Sequence, residues 1–206
     1  MKKSLVKLSV LSLIVLAMSF TLIVPGELPI GASLPKTDLK MKDVSGKEKS
    51  LGELKTAKGI LVIFSCNTCP YVRLSESRIK ECTDLAIQNG LGVALLNSNE
   101  AQRADGEDDS MDAMKKYYNE QKLSCSYLVD ARSEVADAFG ATKTPQCFLF
   151  DKDGILVYKG AVDDNVKDPK AVKEYYLKDA ITAVSTGKKP ATKESKSVGC
   201  TIKRVE

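Results

Sequence analysis

The stretch from Gly59 to Pro70, GILVIFSCNTCP, constrains this chain more than any other. Its apolar run is rich in β-branched and large side chains and does not alternate with polar residues. That is the pattern of a strand buried on both faces. A CxxC pair, Cys66 and Cys69, follows immediately and runs straight into Pro70. Proline suits the first turn of a helix, where its missing N–H would have no carbonyl to meet. Strand, cysteine loop and helix start are therefore expected within a dozen residues.

The downstream pattern continues that alternation. Val72, Ile79, Cys82 and Ala86 recur at helical spacing, and Asn89-Gly90 supplies a stop. LGVALL (91–96) is a second buried strand. A polar loop from Asn97 to about Asp109 precedes a helix marked by Met111, Met114 and Tyr118. SYLV (126–129) is a short strand and SEVADAFG (133–140) a short helix with a glycine stop. QCFLF (146–150) and ILVYKG (155–160) are strands joined by a hairpin turn at Asp151–Gly154. A last helix is predicted over Ala171–Thr186, with Val172, Tyr176, Ala180 and Val184 on one face.

Ahead of these elements, Asp38–Leu54 holds a short strand, a turn at Ser45-Gly46 and a second element, an N-terminal hairpin extension. Helical crossovers in the first half and a hairpin near the end require an α/β fold, a mixed central β-sheet flanked by helices. One domain is expected over residues 30–186. Residues 187–206 form a basic tail of small residues, expected to be loosely held, and carry Cys200.

The N-terminus has a different character. Lys2, Lys3 and Lys7 precede an apolar stretch over residues 8–24, followed by Pro25-Gly26. This reads as a secretory signal over residues 1–26 or as an uncleaved membrane tether through residues 8–24. Either places the remaining domain outside the cytoplasm, in a periplasmic or secreted setting where disulfides persist. A formal net charge of +4 over 206 residues, with both signs interspersed, gives no footprint for nucleic acid.

The cysteine pair carries the chemistry. Cys69 directly precedes the helix, whose first turn has unpaired N–H groups and a partial positive charge. A thiolate there is stabilised, which raises the nucleophilic fraction at neutral pH. Cys66, nearer the loop and expected to be the more exposed, is assigned as the attacking sulfur, with Cys69 resolving the mixed disulfide. A zinc site would want histidines or a second cysteine pair. The chain has no histidine, and Cys82, Cys125, Cys147 and Cys200 are scattered. A purely structural disulfide across two residues would close too small a loop to restrict the unfolded chain much. No ILVIF residue offers a buried carboxylate under the pair, and the Asp105–Asp109 loop reads as solvated. Arg73 and Arg78 likewise read as solvated helix charges.

A second element is KTPQC (143–147), a Thr-Pro directly before a strand. Its position suggests a cis-proline loop at Thr144-Pro145 that faces the pair and binds a partner's extended chain. Cys200 is a candidate third thiol that could reach the pair. A bond from Cys200 to Cys82, Cys125 or Cys147 is an equal alternative.

The segments CNTCPYV (66–72), MDAMKKYY, Tyr127-Leu128-x-Asp130, TPQCFLFDKDGILVYKGAVDDN (144–165) and GCTIK (199–203) together resemble the redoxin family of alkyl hydroperoxide reductase and thiol-specific antioxidant relatives. The peroxiredoxin-like branch is the nearest, and the likeness runs from about residue 33 to 203. It implies a thioredoxin-like fold, Cys66 in the nucleophile position, Cys69 as its partner and Pro145 as the cis-proline. Peroxidases of that family carry a threonine or serine three residues before the reactive cysteine, where this chain has Ile63. The expected function is an extracytoplasmic thiol-disulfide oxidoreductase that needs no dissociable cofactor or metal. Its expected partner is a protein or small-molecule disulfide or thiol. The alternatives are a peroxiredoxin-like thiol peroxidase acting on hydroperoxides and a non-catalytic redoxin-like binding factor.

Overall fold

The computed structural model describes residues 26–205, so the expected leader lies outside it apart from Gly26. In chain order the elements are β1 (Met41–Lys42), β2 (Glu48–Lys49), α1 (Leu51–Leu54), β3 (Ile60–Ser65), α2 (Pro70–Gln88), β4 (Gly92–Asn97), α3 (Met111–Glu120), β5 (Ser126–Val129), α4 (Glu134–Phe139), β6 (Lys143–Thr144), β7 (Gln146–Phe150), β8 (Leu156–Gly160), α5 (Tyr176–Ser185) and β9 (Cys200–Thr201).

Five strands form the central sheet in the order β5-β4-β3-β7-β8. β3 runs parallel to β4, and β4 to β5, while β7 is antiparallel to both β3 and β8. This is the mixed sheet that the pattern of crossovers and a terminal hairpin requires. β1 and β2 form the antiparallel N-terminal hairpin. It leads into α1, which Ser50 and Glu53 close with a reciprocal capping box.

All of β3 is buried, because both sheet faces are covered. Leu61 and Ile63 point to one side, where Val72, Ile79, Leu177 and Ile181 from α2 and α5 pack. Ile60, Val62 and Phe64 point to the other, against Leu51, Val135 and Phe139. On that second side Phe64, Phe139 and Phe148 meet edge to face, with centroids 5.1–5.7 Å apart. α1 comes so close to β4 that a side chain at Gly92 would sit 1.9 Å from the Leu54 carbonyl oxygen.

Two expectations are corrected. The last helix begins at Tyr176 rather than Ala171. Asp168 caps a single 3₁₀ turn at Pro169–Ala171, and the Asp164 carboxylate accepts the N–H groups of Lys173 and Glu174. Those bonds hold residues 172–175 as a loop, so the buried face is Leu177, Ala180, Ile181 and Val184, without Val172.

The tail is not loose. Lys159 on β8 donates its N–H to the Lys193 carbonyl and accepts from the Ser195 N–H. Ser195 Oγ accepts from the Ala161 N–H and pairs with the Tyr158 hydroxyl. Farther on, β9 pairs antiparallel with β6, and Ile202 is buried. The tail satisfies its backbone on open strand edges, a source of order that side-chain composition does not reveal.

Phe139 is fully buried and touches three other rings. Phe139→Ala is expected to cost about 3–5 kcal/mol through lost transfer energy and the cavity left behind. Urea unfolding followed by far-UV circular dichroism measures it.

Candidate active site

β3 ends at Ser65, and the next residue, Cys66, emerges toward the first turn of α2. Cys69 is the N-cap of that helix and Pro70 its first residue. Cys69 thus stands at the positive end of the helix, although its sulfur accepts no capping hydrogen bond from the first-turn N–H groups. Opposite stands the Thr144–Pro145 peptide, which is cis. Thr144 Oγ1 lies 3.5 Å from Cys66 Sγ, and the Thr144 carbonyl oxygen lies 3.0 Å from Cys69 Sγ. Cys200 Sγ is 2.6 Å from Cys69 Sγ. The fold thus gathers Cys66, Cys69, Thr144, Pro145 and Cys200 in one place, with Cys69 at its centre.

Neither sulfur of the pair is open to solvent, which corrects the expectation that Cys66 is the more exposed. Cys66 is 1% and Cys69 2% exposed. Their acidities diverge. Proximity to the Cys66 thiol, reinforced by Cys200 and the Thr144 hydroxyl, pulls Cys69 down against the opposing effect of burial. Cys66 is pushed up by its proximity to Cys69, by burial and by the Asp109 carboxylate. The direction favours negative charge on Cys69, the sulfur at the helix start, over Cys66. The Thr144 carbonyl oxygen, 3.0 Å from Cys69 Sγ, works against that charge.

The remaining cysteines belong to the interior. Burial raises Cys82 and Cys125 to about 12 and Cys147 well above its usual value, so all stay protonated thiols. Cys147 pairs in register with Ile63 and packs in the helix-side core rather than joining the pair. Among the described residues, no group of three or more His, Cys, Asp or Glu is arranged to hold a metal ion.

A buried carboxylate does serve the site, and the sequence reading missed it. Asp109, at the end of the acidic loop, has no solvent exposure. It accepts from the Asn67 N–H at 2.9 Å, the Asn97 amide at 2.7 Å and the Asn99 amide at 2.9 Å. Asn67, between the two sulfurs, also donates to the Asp108 carbonyl and accepts from the Tyr127 hydroxyl. Arg103 braces the loop by donating to the Asp109 and Asn97 carbonyls. The signal was present in Asn97 and Asn99, two amides at the exit of an apolar strand facing an acidic loop. Only the fold shows which acid they hold.

Arg78 is also not solvated. Its guanidinium is buried against Asp163 at 2.5 Å and donates to the carbonyls of Asn165, Val166 and Leu74. Arg73 stacks 4.8 Å over the Tyr117 ring and pairs with Glu76. Both guanidinium groups thus have partners other than the sulfurs.

A mixed five-stranded sheet flanked by helices, with a CxxC at a helix start and a cis-proline strand opposite, defines a thioredoxin-fold protein. The chain belongs to the redoxin family, whose profile matches residues 29–176. It is similar to the crystal structure of a hypothetical protein from Sinorhizobium meliloti 1021, at 31% identity and a TM-score of 0.78 over 87% of this chain and 97% of that one. Peroxidoxin BcpB from Mycobacterium tuberculosis shares the fold at 12% identity and a TM-score of 0.58, covering 78% of this chain and 98% of its own. So does the thioredoxin domain of a thiol-disulfide oxidoreductase from Bacteroides vulgatus, at 20% identity and a TM-score of 0.53, covering 65% and 89%. No curated protein matches the sequence.

Two measurements check the site. Thiolate absorbance of the reduced protein at 240 nm should show a step near pH 4, absent in Cys69→Ser. Because this group's pKa is lowered on folding, its stabilising contribution is full above its unfolded pKa of about 8.5 and disappears as pH falls through about 4. Asp109→Ala strands three buried N–H donors and is expected to destabilise the protein by about 3 kcal/mol in urea titration.

Proposed function

We propose that this protein is a thiol-disulfide oxidoreductase acting outside the cytoplasm, with the Cys66–Cys69 pair as its redox centre. The observation that carries the reading is the environment of Cys69. It combines a helix N-cap position, Cys200 Sγ at 2.6 Å and a pKa pulled down to about 4, features that keep a thiolate poised at neutral pH. The basic and apolar leader supports the location.

In this reading Cys69, at the helix start, takes the attacking role that the sequence assigned to Cys66. The Cys69 thiolate attacks a partner disulfide, so that a bond forms between Cys69 Sγ and one partner sulfur while the other leaves as thiolate. Cys66 then loses its proton and attacks Cys69 Sγ. The Cys66–Cys69 bond closes, and the second partner sulfur departs. The partner leaves as a dithiol, and its two electrons have come from the pair. Run backwards, the same steps oxidise a dithiol. Thr144, whose hydroxyl and carbonyl flank the two sulfurs, aligns the reacting chain.

Redox exchange is favoured over peroxide reduction by the arginines. Arg73 and Arg78 are each engaged by a carboxylate, Glu76 and Asp163, and the position three residues before Cys66 is Ile63, which has no hydroxyl. Reduction of insulin disulfides with dithiothreitol as electron source tests the reading. The rate is expected to fall to background in Cys69→Ser. A Cys69→Ser protein that keeps the wild-type rate would overturn it, as would rapid sulfenate formation with hydrogen peroxide.

A further inference from the structure

Cys66 and Cys69 are both buried, and the protein's own C-terminal strand lies against Cys69. β9 lies antiparallel along β6, with Thr144 opposite Cys200 and Lys143 opposite Thr201. The Ile202 N–H donates to the Thr142 carbonyl, extending the pairing. An extended partner chain approaching the Thr144-Pro145 loop would seek the same edge. The seating is close. A side chain at Gly199 would stand 2.1 Å from the Thr144 carbonyl oxygen, so only glycine lets the strand lie there. The strand is pinned on both sides. Ser195 is bonded to Tyr158 and Ala161, and the Lys203 N–H donates to Asn99. This places Cys200 Sγ 2.6 Å from Cys69 Sγ, and Cys200 alone of the three thiols is partly exposed.

We infer that the C-terminal strand is a tethered surrogate substrate: it occupies the docking edge of β6, and Cys200 takes the active-site disulfide from Cys66 by bonding to Cys69. The inference rests on the reading that Cys69 is redox-active. Starting from the Cys66–Cys69 disulfide, the Cys200 thiol gives up its proton and its sulfur attacks Cys69 Sγ. The Cys69–Cys200 bond forms and the Cys66–Cys69 bond breaks. The electron pair of the broken bond leaves on Cys66, which takes up a proton. One disulfide and one thiol stand on each side, so no further oxidant is consumed. The exchange moves the disulfide from two buried sulfurs to a pair whose outer member a partner's thiolate can reach. Because the strand is tethered, Cys200 meets Cys69 at a high effective concentration, and an external chain must displace β9 before it docks.

The sequence supplies a direct test. Cys66 and Cys69 fall in one tryptic peptide, residues 59–73, and Cys200 in another, residues 197–203. The full chain is oxidised with trans-4,5-dihydroxy-1,2-dithiane, quenched in acid, alkylated, digested and mapped without reduction. The expected main species links 59–73 to 197–203, persists in Cys66→Ser and is lost in Cys69→Ser. A wild-type protein whose only disulfide lies within 59–73, or a link that runs through Cys66, would overturn the inference. Gly199→Val is the second variant. It is expected to lift β9, reduce the linked species to a trace and speed iodoacetamide alkylation of Cys69 in the reduced protein. Unchanged linkage and alkylation in Gly199→Val would refute the seating. The two readings fail separately. If 197–203 stays unlinked while Cys69→Ser still abolishes insulin reduction, the tail inference falls and the oxidoreductase stands. If Cys69→Ser keeps full activity, the oxidoreductase reading falls whatever the peptide map shows.

Discussion

β3 has no solvent face, and its burial arranges the candidate site. Apolar side chains on both of its surfaces draw α2 and α5 to one side and α4 with the N-terminal hairpin to the other. A strand so enclosed has one backbone course, so the residue after its last position emerges at a fixed point at the sheet's end. That residue is Cys66. β7, the antiparallel neighbour, starts at Gln146, directly after the cis Thr144–Pro145 peptide. Two neighbouring strands of one buried sheet thereby bring the cysteine pair and its facing loop together without any contact between them being needed to organise the fold.

At that point local electrostatics take over. A helix start offers unpaired amides, and Cys69 stands at it. Cys66 stands against the Asp109 carboxylate, which is itself saturated by Asn67, Asn97 and Asn99. Burial beside Asp109 pushes the Cys66 thiol up while the surroundings of Cys69 pull it down, so two chemically identical thiols differ in the direction of their shift. The Asp109 network also fixes Asn67, so the short loop between the sulfurs is held from the side opposite the helix. Four asparagine and aspartate side chains buried with complete partners make that bracing directional in a way apolar packing cannot be.

The tail adds a third layer. Sheet edges at β6 and β8 present unpaired backbone groups, and residues 193–203 satisfy them. Edge pairing is indifferent to side-chain identity, which explains how a segment rich in lysine and serine takes a defined course along the sheet. It also explains why the ordering ends on the cysteine pair: the edge it follows is the one next to Thr144.

The strand at Ile60–Ser65, the helix that Pro70 opens and the mixed sheet are legible along the chain, because they follow from hydrophobic period and from what proline and glycine allow locally. The extent of α5 was not legible, since Asp164 and Asp168 capture backbone N–H groups through hydrogen bonds that periodicity does not encode. Asp109 looked like any other acid in a polar loop, and Arg78 like any other helix charge. Their burial comes from elements distant in the chain closing over them. Which sulfur bears the charge, and that Cys200 rather than an interior cysteine meets it, was decided only in three dimensions. Electrostatic fields and strand-edge pairing depend on distances between segments, and a sequence records order along the chain, not those distances.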